Sequence, residues 1–239
     1  MGGQAQLGTQ IRAVLPLVEK LSLSRQKRLN RLVRQFLHDV EFRDASVKDP
    51  TPEAPLRVAS HACLLLLNRQ QDRFHIGLRI VIHANGIDPR PGGKARQFRW
   101  GHIDIDWAEI SQDGATSAAG ITRVMHEFAH RLDSHNMRAN STPALLSTQC
   151  HATWAKVMEE ERDVLCARLD YGVPTPIDPA AATSHAEFFA CTTEAYFEQP
   201  DMLRYHFPRV YAQLAHFYED GAQAFPTSLS FENPLYPHT

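Results

Sequence analysis

The stretch that most constrains this chain is residues 124–133, Val-Met-His126-Glu127-Phe-Ala-His130-Arg-Leu-Asp133. Apolar Val124, Phe128, Ala129 and Leu132 recur at helical spacing, which predicts a helix with most of its surface covered. Histidines at i and i+4 project from one side of such a helix, near enough for both imidazoles to reach one ion. Glu127 lies beside that face, where a carboxylate can take a proton from a water that the ion activates. The pattern is HExxH, the helix of zinc metallopeptidases.

A catalytic zinc takes three protein ligands and keeps one position open. One large peptidase class supplies the third through Gly three and His six residues past the second histidine. Here those positions hold Asp133 and Asn136, so that class is excluded. His135, five residues past His130, is rotated off the metal face of a continuing helix. The remaining common solution is a glutamate from a later helix, with Glu159, Glu160, Glu161, Glu187, Glu194 and Glu198 as candidates. The 159–161 run has polar neighbours and reads as the wet face of a long helix. Glu187 instead enters an apolar segment, His185-Ala-Glu187-Phe-Phe-Ala-Cys191-Thr-Thr-Glu194-Ala-Tyr-Phe197. Burying a carboxylate there is costly unless it is paired or bound to metal. Glu187 and Glu194 are seven apart and share one stripe. The first is expected to bind zinc and the second to orient His126 or His130 through its other ring nitrogen. The exchanged assignment, Glu194 as ligand and Glu187 as support, is the alternative. Asp133 is the other candidate for the orienting role.

The remaining sequence sets the frame for this helix. Lys plus Arg total 25 against 27 for Asp plus Glu, a net charge of −2, so no bulk positive field recruits nucleic acid. The longest apolar run, 62–67, falls far short of the roughly 20 residues of a membrane span. The first ten residues carry no secretory or myristoylation pattern, and a cytoplasmic location is expected. Of 13 histidines, only His126 and His130 have spacing that demands chemistry. Cys63, Cys150, Cys166 and Cys191 include no CxxC pair and sit among apolar or helix-forming neighbours. They are expected to be reduced core residues rather than zinc ligands.

Helical patterns cover 11–21 and 24–42, the latter with a basic run read as a solvated face, and Ser22 or Ser24 as its cap. A proline-rich break at 49–55 precedes a buried helix at 57–67. Strands are expected at 76–84 and 101–107, separated by a loop at 85–95. The second alternates His, Asp, Asp against Ile, Ile, Trp, as an edge or one-face-wet strand does. Its possible roles are substrate alignment by strand addition or plain closure of the sheet. Helices are expected at 117–135, 142–169, 184–198 and 207–220, with a loop at 172–179. The fold class is α+β: mainly helical, zincin-like, with a small mixed sheet and the HExxH helix at its centre. One domain spans 1–239, with an N-terminal helical part at 1–55 and a catalytic core at 56–239.

VMHEFAHRLD, followed about 55 residues later by AEFFACTTEAYFEQP, resembles the Mlc titration factor A family of zinc peptidases. LPLVEKLS, RLVRQFL, ACLLLL and WGHIDIDW extend the likeness over most of the chain. That family is similar in turn to the catalytic domain of anthrax lethal factor, and both are gluzincin-like. The resemblance implies His126, His130 and Glu187 as zinc ligands and Glu127 as general base. It also implies aminopeptidase-like action on short peptides and association with a sugar-responsive transcriptional repressor. The family carries a tyrosine seven residues before the ligand glutamate, placed to stabilise the tetrahedral oxyanion. Here that position is Ala180. Losing one oxyanion donor costs about 10²–10³ in turnover. Tyr171 and His185 are the candidate substitutes. The rival implication is a zinc-binding module of weak or no activity that sequesters a regulatory partner.

Overall fold

Ser22 opens the first long helix by accepting a hydrogen bond on its Oγ from Arg25 N at 3.4 Å. The computed structural model describes residues 2–44, 53–67, 77–83, 101–107, 119–134 and 148–219. Before Ser22, α1 (Gly2–Val14) ends where Pro16 starts a 3-10 turn, Pro16–Lys20. The expected helix over 11–21 is therefore divided, because proline carries no N–H to continue the ladder. In α2 (Leu23–Asp39), Leu29, Val33 and Phe36 form the buried stripe.

The sequence pattern carried this helix to residue 42, but Val40 turns extended (φ −94°, ψ 131°) and Glu41–Asp44 forms strand β1. Pairing with a distant strand overrides local helical periodicity there. Helix α3 (Glu53–Leu64) starts inside the proline-rich break, with Pro55 tolerated in its first turn. It is buried from Val58 to Leu64 on every face, as an all-round apolar helix should be.

Strands β2 (Arg79–His83) and β3 (His102–Asp106) complete a sheet of order β1-β2-β3, parallel at both pairings. The expected mixed sheet is thus corrected: the described strands are all parallel. Parallel pairing requires a long crossover, which α3 supplies between β1 and β2. Ile80 stands beside Ile103 and Ile82 beside Ile105, all four buried on one face. Among the described strands β3 is the outermost on its side of the sheet, with His102, Asp104 and Asp106 on the wetter face. Gly101 precedes it at φ +77°, where an added Cβ would stand 3.0 Å from Gly77 O.

The rest is helical: α4 (Ala119–Ser134), α5 (Thr148–Asp170), α6 (His185–Glu198), α7 (Pro200–His206) and α8 (Pro208–Tyr218). The short α7 and the 3-10 turn Pro179–Ala182 were not expected from the sequence. The loop expected at 85–95 and the outer ends of the helices expected at 117–135, 142–169 and 207–220 lie outside the described residues, as does His135.

Two aromatic anchors hold the central pair, α4 and α6, which pack directly against each other. Phe128 on the back of α4 meets Phe36 of α2 at 5.7 Å between ring centroids. Phe189 on the back of α6 meets Trp154 of α5 at 5.8 Å and Phe217 of α8 at 5.9 Å. With their apolar backs fixed on opposite sides, the polar stripes of α4 and α6 are left facing each other.

Candidate metal centre

His126, His130, Glu187 and Glu194 meet between these two stripes. The two imidazoles bring Nε2 atoms to 3.0 Å of each other. Glu187 faces the pair with Oε2 3.3 Å from His126 Nε2 and Oε1 3.3 Å from His130 Nε2. Its helix start holds it there: Ser184 caps α6 by accepting a hydrogen bond from Glu187 N at 3.1 Å. Glu194, two turns further along α6, lies 2.9 Å from His126 Nδ1. A carboxylate there accepts a hydrogen bond from Nδ1–H, and in the neutral ring that tautomer leaves the lone pair on His126 Nε2. A lone pair facing a second imidazole nitrogen and a carboxylate calls for a cation between them.

The spacing suits a metal ion. Ligand atoms about 2.0–2.1 Å from a tetrahedral zinc stand roughly 3.3–3.4 Å apart. His126, His130 and Glu187 form one potential donor set, and His126, Cys191 and Glu194 form another that shares the first histidine. Glu194 engages His126 Nδ1, the nitrogen on the other side of the ring from the one that faces Glu187.

The protonation of the histidines reflects the same geometry. Burial pulls His126 down, but the hydrogen bond and charge of Glu194, with the charge of Glu187, outweigh it and hold the ring above its usual range. Burial and the neighbouring charge of His126 drive His130 the other way. Further along the stripe, Glu198 keeps one carboxylate oxygen buried without a hydrogen-bond partner among the described residues. Burial and the charge of Glu194 push it up to about 7.

Glu127 sits beside the cluster with its side chain 13% exposed and pairs through Oε1 with Arg123 Nη2 at 2.6 Å. Sequence reasoning missed Arg123, although its place four residues before Glu127 was a visible signal. Asp133 is buried on the same helix, but the orienting contact to His126 comes from Glu194. Among the other candidate glutamates, the 159–161 run is not simply wet: Glu161 is wholly buried, with Arg209 Nη1 3.2 Å away. Ala180 is exposed on the Pro179–Ala182 turn, where its N–H caps back to Asp178 Oδ1 at 2.8 Å. Tyr171, at 85% exposure, stands out in solvent. Cys63 and Cys191 are buried thiols and Cys166 is half-buried; none of the three is in a disulfide.

A family model described as glucose-regulated metallo-peptidase M90 matches residues 4–97 and 86–219. The chain belongs to the M90 metallo-peptidase family. Its relatives within reach of sequence comparison include an uncharacterised protein of Synechocystis sp., 27% identical over 85% of this chain and 80% of the relative. Mlc titration factor A of Klebsiella pneumoniae (strain 342) is 26% identical over 91% of this chain and 87% of its own length. Mlc titration factor A of Cronobacter sakazakii is 27% identical over 85% and 82% respectively. The resemblance read from VMHEFAHRLD and AEFFACTTEAYFEQP therefore holds for the M90 family across most of the chain. No helix among the described residues is long and apolar enough to cross a membrane.

Proposed function

We propose that this M90 chain is a zinc-dependent peptidase with a gluzincin-like centre, in which His126, His130 and Glu187 hold the ion and Glu127 is the general base. The observation that carries the reading is the convergence of two imidazole Nε2 atoms and the Glu187 carboxylate within 3.0–3.3 Å of one another. When bound, zinc supplies a Lewis acid for the scissile carbonyl and lowers the pKa of the attacking water. Glu194 keeps the His126 Nδ1 proton in place, so Nε2 stays aimed at the centre. Glu127 takes the proton of the attacking water on its carboxylate and returns it to the leaving amine nitrogen. The apolar backs of α4 and α6 keep both stripes rigid while the proton moves.

Short peptides cleaved from their amino end are the substrate class this reading carries, and a reducing, cytoplasmic compartment suits the free cysteines. The test is turnover of amino-acid anilides by the zinc-loaded protein. Glu127→Gln should keep stoichiometric zinc and lower turnover about 10²–10⁴-fold. Turnover that is absent, or indifferent to Glu127→Gln, rejects the enzyme.

A second reading is favoured by Ala180, whose exposed methyl offers no oxyanion donor. In it the chain acts as a zinc-bearing binder of a transcriptional repressor, a reading supported by the relatives' name, Mlc titration factor A. Equal capture of an Mlc-type repressor by the wild type and Glu127→Gln, with no peptide turnover by either, would select it.

A further inference from the structure

Arg123 plays no part in the chemistry above, yet its Nη2 lies 2.6 Å from the base Glu127. Helix stability gives no reason for this pair. An arginine one turn N-terminal to a glutamate is the less favourable order along a helix. Exposed pairs of this spacing contribute only about 0.3–0.5 kcal/mol. Nor is this pair on an open surface, since the two side chains are 30% and 13% exposed. The guanidinium charge is also felt at His126, His130 and Cys191, as one of the smaller influences on each; burial and the nearby carboxylates still leave Cys191 raised, and Glu194 and Glu187 still leave His126 raised. Arg123 is therefore a cation close to the whole donor cluster.

The cluster itself is rich in anions. Glu187 and Glu194 both direct carboxylates into it, and the Glu127 carboxylate lies on Arg123 beside it, so a further anionic oxygen arriving there meets repulsion. Beside the ion of the proposed centre, Arg123 can also compensate: its planar fork matches a carboxylate or a tetrahedral anion with two parallel hydrogen bonds. Building on the peptidase reading, we propose that Arg123 is the anion-recognising group of this site. An anionic oxygen of the bound peptide, either its terminal carboxylate or the developing tetrahedral oxyanion, takes the place of Glu127 on the guanidinium. The exchange releases the Glu127 carboxylate to accept a proton, so that the base is freed when substrate is in position. No covalent bond of Arg123 forms or breaks in this exchange.

The test is calorimetric titration of the zinc-loaded full chain with a phosphinic pseudo-dipeptide, made once with a free C-terminal carboxylate and once as the amide. Arg123→Gln and Arg123→Met are compared with the wild type, each checked for zinc content and melting temperature. Both variants should bind roughly 10- to 100-fold more weakly, the value of a charged hydrogen bond. Equal loss on both ligands assigns Arg123 to the tetrahedral oxygen. Loss on the acid alone assigns it to the terminal carboxylate. Affinity within twofold of wild type on both ligands, in either zinc-retaining variant, overturns the proposal, as does absence of phosphinate binding by the wild type. Anilide turnover run in parallel separates the two claims. Glu127-dependent turnover with Arg123-independent binding defeats only the role of Arg123. Arg123-dependent binding without Glu127-dependent turnover defeats only the peptidase.

Discussion

Glu194 offers the most informative perturbation of the proposed metal centre, because it touches the proposed ligands through His126. Its Oε1 lies 2.9 Å from His126 Nδ1, and the side chain is only 14% exposed, so water cannot readily replace it. A hydrogen bond to a charged partner in such a place contributes about 1.5–3 kcal/mol. Removing it lets the ring rotate or take the wrong tautomer, and the handicap falls on zinc affinity as roughly 10- to 100-fold. Glu194→Gln keeps shape and one acceptor oxygen and should sit near the lower figure. Glu194→Ala loses both and should sit near the upper. Glu187→Ala, which removes a donor outright, should exceed either. Competition with a chromophoric chelator at fixed pH gives the three dissociation constants, and zinc-free melting curves show whether the fold has survived. A Glu194→Gln affinity within twofold of wild type would refute the orienting role. Glu194→Ala matching or exceeding Glu187→Ala would show that Glu194 is the ligand and Glu187 its support.

Two further outcomes follow from the packing around the centre. Ser184→Ala removes the cap that holds Glu187 N at 3.1 Å, and should lower stability in urea by about 1 kcal/mol while weakening zinc binding more than a cap distant from the site would. His61 is buried in α3 with Nδ1 2.6 Å from Arg57 O, and burial pulls its pKa down to about 4. The unfolded chain therefore binds a proton below about pH 6.5 that the folded chain refuses. Stability contributed by the neutral ring is complete above pH 6.5 and falls by about 3 kcal/mol as pH drops through 4. Urea titrations of wild type and His61→Gln between pH 7 and 4.5 should show the variant losing less stability on acidification, and parallel losses would reject the assignment.

How much of this was legible beforehand depends on the range of the interaction concerned. The four-residue spacing of His126 and His130 and the apolar back of their helix are properties of one helical turn, and α4 has the form that the pattern requires. The cap at Ser22 and the alternating strand expected at 101–107 were equally local signals. Strand β1 was not, because Glu41–Asp44 is extended only where β2 stands beside it. The same holds for Glu161. Its run of charges looks solvated until Arg209, nearly fifty residues away, folds over it.

The sequence by itself determined which side chains could take part: two histidines on one helical face, a carboxylate next to them, and two more on a stripe of an apolar helix. Only the tertiary structure decided which carboxylate meets which histidine nitrogen. Glu187 and Glu194 share a stripe and cannot be ranked by spacing. Which of them meets Nε2 and which meets Nδ1 is set by the rotation and offset of α6 against α4. Those are fixed by Phe128 on Phe36 behind one helix, and by Phe189 on Trp154 and Phe217 behind the other. Helical periodicity is written into neighbouring residues, whereas the angle between two helices belongs to the packing of everything behind them.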